Sequence, residues 1–185
     1  MITHTNITGL KKIAALALVF LCLCSFVGCN STRTTIKAPA DYDALWTLGN
    51  RRVSFSSFLF PTSIDTSNVL SFGCEHETSF LLGARWQAVL VLQYDSESFA
   101  FEKDKIKALC RGSVIYGESE YFDRETYASV WNTDGCYEYA IFDSDKNTVS
   151  YVYLQHKEKK DITLDSSLIP NGYEHQMKGA EFSIY

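Results

Sequence analysis

Cys74-Glu75-His76-Glu77 is the densest run of reactive side chains in the sequence. On a strand, successive side chains alternate, so Cys74 and His76 share one face and Glu75 and Glu77 the other. Two chemistries use such residues. A metal site needs a third and a fourth ligand, which His156 or His175 would have to bring from far along the chain. A cysteine nucleophile needs a histidine placed to take its proton, and positions i and i+2 on a strand rarely allow that. No CxxC spacing occurs in the chain, so a zinc ribbon or thioredoxin-like motif is excluded. The plainer reading is a half-buried cysteine, an exposed histidine and two solvated carboxylates. On that reading none of the four has a catalytic or metal-binding role.

Glu118, Glu120, Asp123 and Glu125 form an acidic stretch beside Tyr116, Tyr121 and Phe122. Such a stretch could bind a cation, or act on a sugar if two carboxylates stood roughly 5–10 Å apart. Asp143, Asp145 and Asn147 alternate like the start of a calcium loop. Thr148 stands where the loop needs Gly and Leu154 where it needs Glu, so a polar hairpin turn is the better account. Tyr137, Tyr139, Tyr151 and Tyr153 would line adjacent strands. They read first as sheet packing, and second as an exposed aromatic face for a protein or glycan partner. GxSxG, SxxK, P-loop and GxGxxG patterns are missing, so no cofactor is implied.

The N-terminal segment carries a more specific signal. Lys11 and Lys12 precede an apolar run from Ile13 to Val27, and no acidic residue occurs before Asp41. Basic residues, a short apolar run and then small residues make a secretory signal. The run is 15 residues long, whereas a spanning helix needs roughly 20. It ends Ser25-Phe26-Val27-Gly28-Cys29-Asn30-Ser31-Thr32, with an apolar residue at −3, a small one at −1 and then cysteine. This resembles a bacterial lipobox. The resemblance implies that the Cys29 thiol receives a diacylglyceryl group, that residues 1–28 are removed, and that the chain is anchored at the extracytoplasmic face of a cell membrane. Two acyl chains hold firmly where one holds marginally.

Cleavage before Cys29 would remove Lys11 and Lys12 and no acid, leaving 15 basic against 22 acidic residues and a net charge of −7. That argues against a nucleic-acid partner, and against a basic patch that holds anionic lipid, on the charge of the whole chain. Beyond Cys29 there remain Cys74, Cys110 and Cys136, which allow at most one internal disulfide. A domain of this size can bury a core without one.

Elements must then position these residues. Residues 29–40 are small and polar and read as a flexible tether, with 41–185 as a single domain. Asp41 to Leu48 suggests a short helix capped by Asp41 or Asp43. Val53 to Phe60 and Val69 to Phe80 suggest strands. Arg85 to Tyr94 is the clearest strand, with Trp86, Ala88, Leu90, Leu92 and Tyr94 on one face. Asp95-Ser96 caps a helix of about 13–15 residues that ends at Gly112, with Phe99, Ile106 and Cys110 on its apolar side. Val114-Ile115-Tyr116 is a short strand. Tyr127 to Trp131, Tyr137 to Phe142 and Thr148 to His156 form a meander, joined by turns at Asp134-Gly135 and at residues 143–147. Phe182 to Tyr185 suggests a last edge strand. Hairpins make antiparallel sheet, and a helix can cover one face of it. The expected fold is therefore α+β, an antiparallel sheet with one main helix on a face and a strand-rich C-terminal meander.

Phe60-Pro61-Thr62-Ser63-Ile64, then Leu90-Val91-Leu92-Gln93-Tyr94-Asp95 and the helix after it, resemble small bacterial surface lipoproteins of uncharacterised function. The resemblance implies a similar fold and carries no activity. The expected function is a lipid-anchored binding or envelope-associated module rather than an enzyme. The alternative is a small envelope hydrolase using the carboxylates or Cys74 with His76.

Overall fold

The computed structural model describes residues 31–50, 53–79, 83–133 and 135–173. Residues 33–77 and 84–185 make one compact unit; residues 1–32 with 78–83 make a second. The strands are β1 (Thr32–Ile36), β2 (Gly49–Asn50), β3 (Val53–Ser54), β4 (Val69–Ser79), β5 (Gly83–Gln93), β6 (Tyr116–Ser119), β7 (Phe122–Thr133), β8 (Cys136–Asp143) and β9 (Thr148–Gln155). Seven of them form one sheet in the order β1-β4-β5-β9-β8-β7-β6, while β2 and β3 pair as a separate ribbon. The helix α1 (Ser96–Leu109) is the one α-helix among the described residues.

The fold is thus mainly β, which corrects the α+β expectation. Among the described residues one 14-residue α-helix stands against nine strands, seven of them in one sheet. The helix is where the sequence places it. Asp95 accepts from the Ser98 amide at 2.8 Å as N-cap, and Gly112 follows at φ +86°, a conformation that glycine adopts without strain. Helical signals are strong locally, but the sheet gains most of its width from hairpins on both sides of α1. The chain crosses from β5 through α1 to the edge strand β6, then returns strand by strand until β9 pairs antiparallel with β5 from Trp86↔Gln155 to Gln93↔Thr148.

Four local expectations change, one of them the strand Val114–Tyr116: Val114 and Ile115 are irregular and β6 begins at Tyr116. Thr32–Ile36, within the stretch that reads as a tether, is the edge strand β1. The expected helix Asp41–Leu48 is instead a 3₁₀ helix, Pro39–Thr47, with Ala38 at its N-cap, no side-chain cap and Leu48 as its C-cap. The Val53–Phe60 strand is limited to Val53–Ser54, and residues 55–60 are irregular. The turns hold: Thr133 pairs with Cys136 across Asp134-Gly135, and Gly135 takes φ +69°, as a tight hairpin turn requires. Phe182–Tyr185 lies outside the described residues.

Both faces of the sheet are covered. Trp86, Ala88, Leu90 and Leu92 pack with Phe99 and Ile106 of α1, with its C-cap Cys110, and with Tyr42, Leu45, Phe55 and Phe60. Val89, Tyr137, Tyr139, Val152 and Leu154 pack instead with Leu168, Tyr173 and the partly buried Ile162, Leu164 and Ile169.

Candidate functional site

Cys74 and His76 do share the inner face of β4, but the histidine is buried rather than exposed. Its ring stacks on Trp86 at 3.8 Å with an interplanar angle of 25°, and burial lowers its pKa. Burial pushes the Cys74 thiol up to about 12, so little thiolate exists near neutrality. Glu75 points to the other face. It accepts from Arg33 at 2.7 Å and from the Gln87 side-chain amide at 2.7 Å, with Lys157 Nζ 3.8 Å away. The four residues serve two different faces, as strand alternation demands. His156 adopts φ +51° after β9; His175 lies outside the described residues, and so does Cys29. Cys74, Cys110 and Cys136 form no disulfide.

The acidic stretch does not converge. Glu118, Glu120 and Asp123 are exposed. Glu125 pairs with Lys103 and with Lys107 at 3.7 Å, and accepts from the Tyr127 hydroxyl. Burial alone would raise its pKa, but these partners outweigh it and hold the carboxyl below the usual range. Asp143 lies 3.5 Å from Lys146 and 3.8 Å from Arg124. Among the described residues no three His, Cys, Asp or Glu side chains are grouped to hold a metal ion. The four tyrosines split between the faces, Tyr137 and Tyr139 on one and Tyr151 and Tyr153 on the other, and all four are buried.

The polar centre that the sequence does not announce is Glu138, on β8 and 1% exposed. Its carboxylate accepts from the Phe58 amide at 2.9 Å, the Leu59 amide at 3.1 Å, and the Ser57 and Ser129 hydroxyls. The β7–β8 register shifts between Ala128 and Val130, leaving Ser129 as the extra residue of a bulge. A buried charge needs such partners, since an unpaired one would cost several kcal/mol or titrate. Here the carboxylate takes the place of strand partners for the Phe58 and Leu59 amides, in a segment that is irregular rather than strand. The only sequence signal was a charged residue amid an apolar alternation.

Beyond Ser129 the surface opens into a cleft of about 420 Å³ between the end of α1, the turn after it and β7. Leu109, Val114, Ser129 and Trp131 line it, and Val114 is 77% exposed. Cys110 also faces it, with its thiol pushed up to about 12 by burial and by Glu138. Arg111, Ser113 and Thr133 line it as well, so the cleft is mixed in polarity. No described helix is long and apolar enough to cross a membrane. Comparison with protein-family models, with curated proteins and with solved structures gave no match.

Proposed function

We propose that the chain is a lipid-anchored protein of the extracytoplasmic membrane face, acting as a binding or envelope-associated module. The observation that carries this is Cys29, standing where the apolar run of residues 13–27 gives way to polar sequence. The engagement of the other reactive groups supports the non-catalytic half of the reading. Glu75, Glu125 and Glu138 are each tied to structural donors, and His76 lies flat against Trp86. The hydrolase reading therefore has less behind it than the sequence alone suggests.

Expression of the full chain and of Cys29→Ser, with metabolic labelling by a fatty-acid analogue and membrane fractionation, tests the anchor. The wild type should take the label and sediment with membranes. The variant should lose the label and be released, or stay unprocessed. Unchanged membrane association in the variant, with no label on the wild type, contradicts the proposal.

A further inference from the structure

If Cys29 carries the lipid, only Asn30 and Ser31 separate it from β1, which begins at Thr32. Three Cα steps span at most about 11 Å. The strand that follows is no spacer. Ile36 is part of the core, and the Arg33 guanidinium donates to Glu75 at 2.7 Å. The lipid is thus tied almost directly to one end of the sheet.

That end has a distinctive charge layout. Arg33 reaches Glu75 and also feels Glu77, so β1 starts where β4 finishes. Arg85, near the start of β5, lies 3.8 Å from Asp161 in the Lys159–Asp161 turn beyond β9. Lys157 Nζ is 3.8 Å from Glu75, and Lys160 pairs with Glu158 at 2.7 Å. Among the described residues, the exposed cations of this end are Arg33, Lys159 and Lys160, more open than the acids Glu75 and Glu158 that Arg33 and Lys160 pair with, while Arg85 and Lys157 are more buried than their partners Asp161 and Glu75. The opposite end of the sheet, at the start of α1 and the turn between β8 and β9, carries Asp95, Glu97, Asp143 and Asp145, with Lys146 and Arg124 both paired to Asp143. An anionic bilayer attracts the first end and repels the second, at about fivefold per basic residue near the surface.

We propose that the sheet end formed by Arg33, Arg85 and the Lys159–Asp161 turn rests on the anionic lipid headgroups of the leaflet that holds the Cys29 acyl chains. This rests on the lipoprotein reading above and deepens it: the domain is seated on the membrane with its acidic end outward, rather than swinging on a tether.

The test uses the full acylated chain in vesicles of phosphatidylcholine and phosphatidylglycerol containing a headgroup spin-labelled lipid. A fluorophore is placed at Lys160→Cys or at Asp145→Cys, and the unsubstituted protein gives the background from native cysteines. Quenching at position 160 should exceed that at 145 at least threefold. A 20-residue Gly-Ser insertion between Asn30 and Ser31, with an r.m.s. span of about 25 Å, should narrow the contrast, as should vesicles of phosphatidylcholine alone. Equal quenching at the two positions in acylated, vesicle-bound protein overturns the seating and leaves the lipoprotein reading standing. A contrast unchanged on neutral vesicles overturns the role of anionic headgroups. A chain that carries no acyl group and stays off the vesicles overturns both readings.

Discussion

On one face of the sheet, Leu90 and Tyr151 lie under α1 and the chain from Pro39 to Phe60. On the other, Tyr139 and Leu154 lie under residues 162–173, a stretch whose regular structure is one 3₁₀ turn. The first cover is held by interlocking rings. Phe55 sits 5.6 Å from Trp86, 5.0 Å from Tyr153 and 5.6 Å from Phe60, and Glu138 and Glu102 supply buried acceptors. The second cover makes few backbone bonds of its own, so side chains of the sheet must satisfy it. From the sheet, Tyr139 donates to the Leu168 carbonyl at 2.6 Å and the Gln87 side chain accepts from the Thr163 amide at 3.0 Å, while Tyr173 of the cover itself donates to the Lys157 carbonyl at 2.8 Å. A helix brings its hydrogen bonds with it. An irregular segment must be given them, and each such bond is a point where it can be detached.

Packing substitutions should therefore matter most on the first face. Leu90 is fully buried there, and Leu90→Ala should lower stability by about 2–5 kcal/mol in urea unfolding. A loss under about 0.5 kcal/mol, the range of surface changes, would break the comparison at its root. Glu138→Ala should cost about 3 kcal/mol, because it strands the Phe58 and Leu59 amides in the interior. Limited proteolysis should then cut within residues 55–61 first. Protection equal to wild type would show that the carboxylate does not hold that segment.

On the second face the telling change removes one hydrogen bond and no volume. Tyr139→Phe should cost about 1–2 kcal/mol, the penalty of an unpaired buried carbonyl. It should also raise amide exchange in residues 162–173 while leaving α1 protected. Uniform exchange across both covers would mean that they are not held independently.

The smallest effect concerns His76. Burial depresses its folded pKa below 6.5, so the unfolded chain binds the proton more readily. Stability should be unaffected above about pH 6.5 and should fall as pH drops from there through the folded pKa. His76→Phe should flatten this part of the pH profile relative to wild type. An unchanged profile would show that the ring is not held neutral against Trp86.

The sequence makes some elements of this account legible and hides others for physical reasons. β5 and α1 show because alternation, an N-cap and a terminal glycine are local signals, each read within a dozen residues. Residues 55–60 mislead because Phe55, Phe58 and Phe60 scatter like a strand pattern, while the acceptor for the Phe58 amide is Glu138, 80 positions away. β1 is hidden because an edge strand made mostly of threonine buries little more than Ile36. The tyrosines of β8 and β9 resist assignment because both faces are buried, so neither alternation is polar. That double cover, together with edge strands that look like linker, is also why a prominent helix signal suggests α+β for a mainly β chain. At the candidate site, the shared face of Cys74 and His76 was readable, but the burial of His76 against Trp86 depends on the neighbouring strand. The Glu138 centre depends on three distant segments, and its one local mark is a charged residue within an apolar stretch.

The functional account turns on Cys29, and one measurement addresses it most directly. Mass spectrometry of the N-terminal peptide from protein extracted out of membranes should find a chain that begins at Cys29 and carries a diacylglyceryl group on its sulfur. A mature chain that begins elsewhere, or begins at Cys29 with an unmodified thiol, would contradict it.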